Sequence, residues 1–123
     1  MSAQLTGVLQ IAIPVADVAR ATAFYRDVLE LKFLFEFPNM AFFDCGGVRL
    51  YLSGAGAEHK PSGAFIYFRT PNIDRQFSTF KERKVVIHQE PQIIAKMPDH
   101  DLWLMWINDS EGNLLGIMEE RKR

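Results

Sequence analysis

Cysteine is almost missing from this chain. Cys45 is the only one in 123 residues, which excludes an intrachain disulfide and a cysteine-built zinc finger. It stands beside Gly46-Gly47 with no histidine near it in sequence, the setting of a plain, partly buried thiol rather than a reactive one. An excess of one charge is missing too. The formal net charge is −1, whereas a protein that holds nucleic acid needs a basic face to neutralise phosphates. The basic runs KERK (81–84) and RKR (121–123) are short and read as solvated surface. No run approaches the ~18 apolar residues of a membrane span. MSAQLTGVLQ has neither the basic start nor the apolar core of a secretory signal. We therefore expect no nucleic-acid partner, no membrane partner and a cytoplasmic location. A P-loop, a dinucleotide fingerprint and a nucleophile elbow are also lacking, and GAGAEHK does not have the spacing of a phosphate loop.

What remains is the composition of one ordinary soluble domain, 48% hydrophobic and 24% charged, with ten Phe and two Trp to fill its interior. VLQIAIPV (8–15) is rich in β-branched residues and reads as a strand. ADVARATAFYRDVLEL follows with helical spacing, placing Val18, Ala21, Tyr25, Val28 and Leu29 on one side, and Asp17 is its expected N-cap. KFLFEF (32–37), MAFFDC (40–45) and VRLYLS (48–53) read as strands, the last two flanking the Gly46-Gly47 hairpin turn. The same order then returns. AFIYFRT (64–70) is a strand, NIDRQFSTFKERK (72–84) a helix with Ile73, Phe77 and Phe80 inward, and VVIHQEP, DLWLMWIN and NLLGIMEE are further strands.

A shift of 55 residues pairs Val18 with Ile73, Arg20 with Arg75, Tyr25 with Phe80 and Gln10 with Phe65. Near the end the shift becomes 65, pairing Gly47 with Gly112 and Tyr51 with Gly116. The added length is expected in a loop around QIIAKMPDHD. The fold class that follows is α+β: two βαβββ modules related by a pseudo-twofold, with curved mixed sheets enclosing a groove and helices outside. Module one spans about 5–53, a linker 54–63, and module two about 64–121, all within a single domain of residues 1–123.

With IPVADVARATAFYRDVLEL in module one and INDSEGNLLGIME in module two, the chain resembles the vicinal-oxygen-chelate superfamily. That group includes glyoxalase I, fosfomycin-resistance proteins, extradiol dioxygenases and bleomycin-resistance proteins. The first segment looks like the family's strand–helix opening, and the second is similar to its Asp-Pro-Asp-Gly-Asn turn, with Ser110 where Pro is usual. The resemblance implies a homodimer. It also implies that metal-using members draw ligands from the first and last strand of each module. The matching positions here are Gln10, Tyr51, Phe65 and Gly116.

Zinc, nickel, manganese or iron asks for imidazole, thiolate or carboxylate. Gln10 offers a carbonyl oxygen, as some glyoxalases resemble this chain in doing, and Tyr51 would have to ionise far below its usual pKa of ~10. Phe65 and Gly116 offer nothing. We expect no metal and no other cofactor. Asp99-His100-Asp101 reads as a polar loop tip, although His100 could fold over one end of the groove. His59 reads as a solvated linker residue, His88 as a sheet-face histidine, and Glu119 as pointing away from the groove because it is out of register with Gly116.

The groove would then be aromatic. Gln10, Tyr51, Phe65 and Tyr67 line it, Arg69 lies at the rim, His100 closes one end, and either Trp103 with Met105 or Trp106 completes it. Three functions fit: a metal-free binder of a small, partly aromatic organic molecule, as in bleomycin-resistance proteins; a lyase, isomerase or dioxygenase of the glyoxalase type using non-standard groups such as Tyr51 and His100; or a structural homodimer whose groove is vestigial or filled as core. Whether the chain is an enzyme stays open at the level of sequence.

Overall fold

The computed structural model describes residues 6–54 and 65–123. The chain divides into two compact units, Met1–Lys60 and Pro61–Arg123, and each has the βαβββ order expected.

In the first unit, β1 (Gln10–Val15) leads to helix α1 (Val18–Ala23), then to β2 (Lys32–Phe37), β3 (Met40–Cys45) and β4 (Val48–Gly54). The sheet order is β1-β4-β3-β2. The edge strand β1 runs parallel to β4, and the hairpin pairs β3–β4 and β2–β3 run antiparallel. Asp17 caps α1 as expected, its Oδ1 accepting from the Arg20 N–H at 3.0 Å. The helix is shorter than its spacing predicts, because Phe24–Val28 widen into a π turn in which the Leu29 N–H reaches back to Phe24 O at 3.0 Å. Ala21 and Tyr25 still point inward. They bury with Ile13, Val15, Ala41, Phe43, Leu50 and Leu52, which form this unit's core beneath α1. Gly46 and Gly47 both adopt positive φ (60° and 92°), the backbone that a two-residue hairpin turn requires.

The second unit repeats the plan with β5 (Ile66–Arg69), α2 (Ile73–Glu82), β6 (Val86–Lys96), β7 (His100–Asn108) and β8 (Leu114–Lys122), in the order β5-β8-β7-β6. Asn72 caps α2, accepting from the Arg75 N–H at 3.0 Å. Ile73 and Phe80 are buried, while Phe77 is half-buried with the Lys81 ammonium over its ring at 5.0 Å. The α2 face of this sheet carries Met105, Ile107, Leu115 and Ile117.

One expectation fails here. The added length around residues 92–101 is not a loop: β6 continues to Lys96 and β7 begins at His100, so only 97–99 turn. The reason is register. Three irregularities in the β6–β7 pairing, between Ile87 and Gln89, Gln89 and Gln92, and Ile93 and Ala95, let a polar segment without clean alternation stay hydrogen-bonded as strand. His100 and Asp101 accordingly sit in β7 rather than at a loop tip. His88, between the first irregular pair, is exposed. Of the expected linker 54–63, Gly54 ends β4, while residues 55–64, His59 among them, lie outside the described residues.

Candidate functional site

Each sheet has one face under its helix and one face free of it, and the side chains on the helix-free faces are the candidates. In the first unit, strand alternation carries Leu50 and Leu52 to the helix, so Arg49, Tyr51 and Ser53 emerge on the other side. The Gly46-Gly47 turn fixes the partners: Phe42 lies opposite Tyr51, and Asp44 opposite Arg49. Phe42 and Tyr51 are stacked at 4.8 Å between ring centroids, and Phe35 joins Phe42 from β2 at 4.9 Å. The three rings run across the strands as a row. Gln10 is one end of the adjacent row, where its Oε1 accepts from Arg49 Nε at 2.8 Å while the guanidinium lies over the Phe42 ring at 5.9 Å.

In the second unit the helix-free face holds Tyr67, Gly116 and Trp106, consecutive neighbours across β5, β8 and β7. Phe65 and Tyr67, each 51% exposed, approach Trp106 at 5.5 and 5.2 Å between ring centroids. Trp106, not Trp103 with Met105, is therefore the tryptophan of this face. Trp103 is corrected to the opposite side: it pairs with Glu119 across β7 and β8 and lies under the Arg121 guanidinium at 4.6 Å, on the α2 face. A five-residue turn, 109–113, set by Asp109 accepting from the Glu111 and Asn113 N–H groups at 2.8 Å, decides this register. Glu119 points to α2, as its alternation predicts.

Arg69 and His100 meet at one end of this face. Arg69 Nη2 pairs with Glu120 Oε1 at 3.2 Å, and His100 is bracketed by Asp99 at 2.7 Å and Glu120 at 3.4 Å. They border an open cavity of about 520 Å³ together with Thr70, Glu119 and Lys122. The bond to His100 holds the Asp99 carboxyl below its ordinary range.

The four positions that hold metal in related proteins do not fit one here. The Gln10 oxygen already accepts from a guanidinium, whose positive charge would oppose a dication. The Tyr51 ring is stacked on Phe42, and Phe65 has no donor atom. At Gly116 the space of a side chain is taken: a Cβ there would lie 2.6 Å from Tyr67 Cδ1 and 3.2 Å from Trp106 Cζ3. Among the described residues no group of three or more His, Cys, Asp or Glu side chains is placed to hold a metal. Gly116→Ala is expected to swing the Tyr67 ring off Trp106, cost about 1 kcal/mol in lost ring contact, and shift tryptophan emission. Unchanged emission in that variant would show that the two rings do not depend on the glycine.

The profile of the Glyoxalase/Bleomycin resistance protein/Dioxygenase superfamily matches residues 7–117. The chain belongs to that superfamily. No curated protein matches it. Among solved structures it is similar to a superfamily member from Sphaerobacter thermophilus, at 24% identity and a TM-score of 0.75, covering 94% of this chain and 98% of that one. It is also similar to a lactoylglutathione lyase from Agrobacterium tumefaciens, at 21% identity and TM-score 0.73, covering 94% of each. A glyoxalase/bleomycin resistance protein/dioxygenase from Alicyclobacillus acidocaldarius aligns at 18% identity and TM-score 0.73, over 94% of this chain and 92% of that one. At these identities the likeness is one of fold, and this superfamily member's chemistry has to be argued from its own side chains. Sequence reasoning missed Phe35, Phe42 and Arg49. The signal was present, since a two-residue turn at 46–47 places 42 against 51 and 44 against 49 by counting outward.

Proposed function

We infer that this protein binds a small, partly planar organic molecule without a metal. The observation that carries the reading is Gly116. Where a metal-using relative would need a donor, this chain has no side chain, and Tyr67 lies against Trp106 in its place. Exposed aromatic faces flanked by single polar groups suit stacking and one or two orienting hydrogen bonds. On the first unit Tyr51 supplies the first and Gln10 the second; on the second unit Phe65, Tyr67 and Trp106 supply the first, and Arg69 and His100 the second.

The two tryptophans provide the test, because they lie on opposite faces of one sheet. In a screen of aromatic compounds, binders are expected to quench or shift emission in the native protein and in Trp103→Phe, and to lose that response in Trp106→Phe. Trp103→Phe should itself be well tolerated, since the indole Nε1 is buried without a hydrogen-bond partner. Silence across a diverse library, or a response that follows Trp103 instead, would refute binding at the aromatic face of the second unit.

His100 favours a second reading, an isomerase or lyase step with the imidazole carrying a proton. Its Nδ1 is held by Asp99 at 2.7 Å, which orients the ring, and a proton would pass through Nε2, whose contact with Glu120 is longer at 3.4 Å and would give way to the ligand. Exchange of a bound ligand's acidic C–H protons with D2O that vanishes in His100→Gln would support this reading. Equal exchange in both proteins would remove His100 from any such step.

A further inference from the structure

We propose that the first unit recognises a planar aromatic carboxylate, with the ring laid on the Phe42–Tyr51–Phe35 row and the carboxylate taken by Arg49. The inference rests on the binding reading above and names the ligand's chemical class. It begins with what holds Arg49. Its Nε donates to Gln10 Oε1 at 2.8 Å, and its guanidinium carbon lies over the Phe42 ring, 5.9 Å from the centroid. A guanidinium held at Nε has its two terminal nitrogens left to donate in parallel, the geometry that matches a carboxylate.

No carboxylate among the described residues forms an ion pair with Arg49. Asp44, its cross-strand neighbour, accepts instead from the Gly47 N–H of the turn at 3.3 Å, and Lys32 follows Asp44 in the same register. Lys32, Asp44 and Arg49 together leave this row cationic. Arg69 in the other unit differs: it is paired with Glu120 at 3.2 Å. Along β4, Arg49 and Tyr51 are two residues apart on one face, roughly 7 Å. A fused aromatic ring carrying its carboxylate directly, or a phenyl ring carrying it on a short arm, spans that distance. Gln10 is then a positioning residue, and its place at a family metal position is reused to orient a cation.

The test compares 2-naphthoate with 2-naphthamide, which share a shape and differ in charge, by calorimetric titration of the full chain. The native protein is expected to prefer the carboxylate by on the order of tenfold to a hundredfold. Arg49→Gln should abolish the preference while keeping affinity for the amide. Arg49→Lys, which keeps the charge and loses the planar fork and the Gln10 bond, should keep only part of it. Gln10→Ala should weaken the carboxylate severalfold and leave the amide unchanged. Equal affinity of native protein for the two probes overturns the inference and leaves the metal-free binding reading standing. So does a preference that survives Arg49→Gln, or one that disappears in Arg69→Gln instead. If neither probe binds, the inference fails, and the tryptophan screen then tests the binding reading at the second unit's aromatic face.

Discussion

Glu119→Ala is expected to lower stability by about 2–3 kcal/mol, the cost of leaving a buried N–H without its acceptor together with the loss of a half-buried, hydrogen-bonded ion pair. For a chain of this size that corresponds to a drop of roughly 10 °C in Tm. Glu119 is 7% exposed and ties β8 to α2. Its Oε1 accepts from the Ile73 N–H at the start of α2 at 2.8 Å, and both its oxygens accept from Arg121, at 3.0 and 3.1 Å. Arg121 in turn reaches Asp74 at 2.9 Å and covers Trp103. Alanine leaves a buried N–H without an acceptor and a guanidinium with half its partners. Glu119→Gln keeps one acceptor for Ile73 and should lose less. The hydrogen bonds from Arg121 hold the Glu119 carboxyl below its ordinary 4.5, against burial, which raises it. A folded value below the unfolded one means the contribution is fully present above the unfolded value and is lost as pH falls through the folded one. Urea unfolding of native protein and Glu119→Ala should therefore show the whole gap at pH 7 and a narrowing gap once pH falls below about 4.5. Coincident unfolding curves at pH 7 would show that α2 is held without this carboxylate.

The second large effect separates two neighbours. Phe43→Ala is expected to cost about 4 kcal/mol, because it empties a fully buried site. Its ring lies 5.6 Å from Phe33 and 6.1 Å from Tyr25, beneath α1. Phe42→Ala, one residue earlier, should cost only about 1–2 kcal/mol, since its half-buried ring stacks on the helix-free face. The functional outcomes should be reversed. Phe42→Ala removes the platform beneath Arg49 and beside Tyr51 and is expected to abolish binding of an aromatic carboxylate to the first unit in a folded protein. A conservative Phe43→Leu should retain binding wherever it remains folded. Thermal unfolding together with titration of an aromatic probe reads both quantities, and equal stability losses at 42 and 43 would contradict the face assignment.

Both results depend on alternation, and alternation was legible in the chain itself. The strand–helix–three-strand order, its repetition at an offset of 55, the Asp17 cap and the Gly46-Gly47 hairpin all follow from local chemistry: side-chain period, capping oxygens and backbone freedom. The lack of donor side chains at Phe65 and Gly116 was legible as well, because it is a matter of residue type. So was the row of Phe42 against Tyr51, for anyone counting outward from a two-residue turn.

What the sequence could not determine lies where spacing is interrupted. The 109–113 turn and the bulged β6 set whether Trp103 or Trp106 shares a face with Tyr67, and a one-residue difference in register exchanges them. The π turn at Phe24–Val28 and the continuation of β6 to Lys96 arise from packing and pairing, not from propensity. Gln10 illustrates the division. By itself the sequence determined that this position carries an amide rather than an imidazole or a carboxylate. Only the tertiary structure decided that its oxygen turns to Arg49, because that contact joins residues 39 positions apart and exists only once β1 lies beside β4.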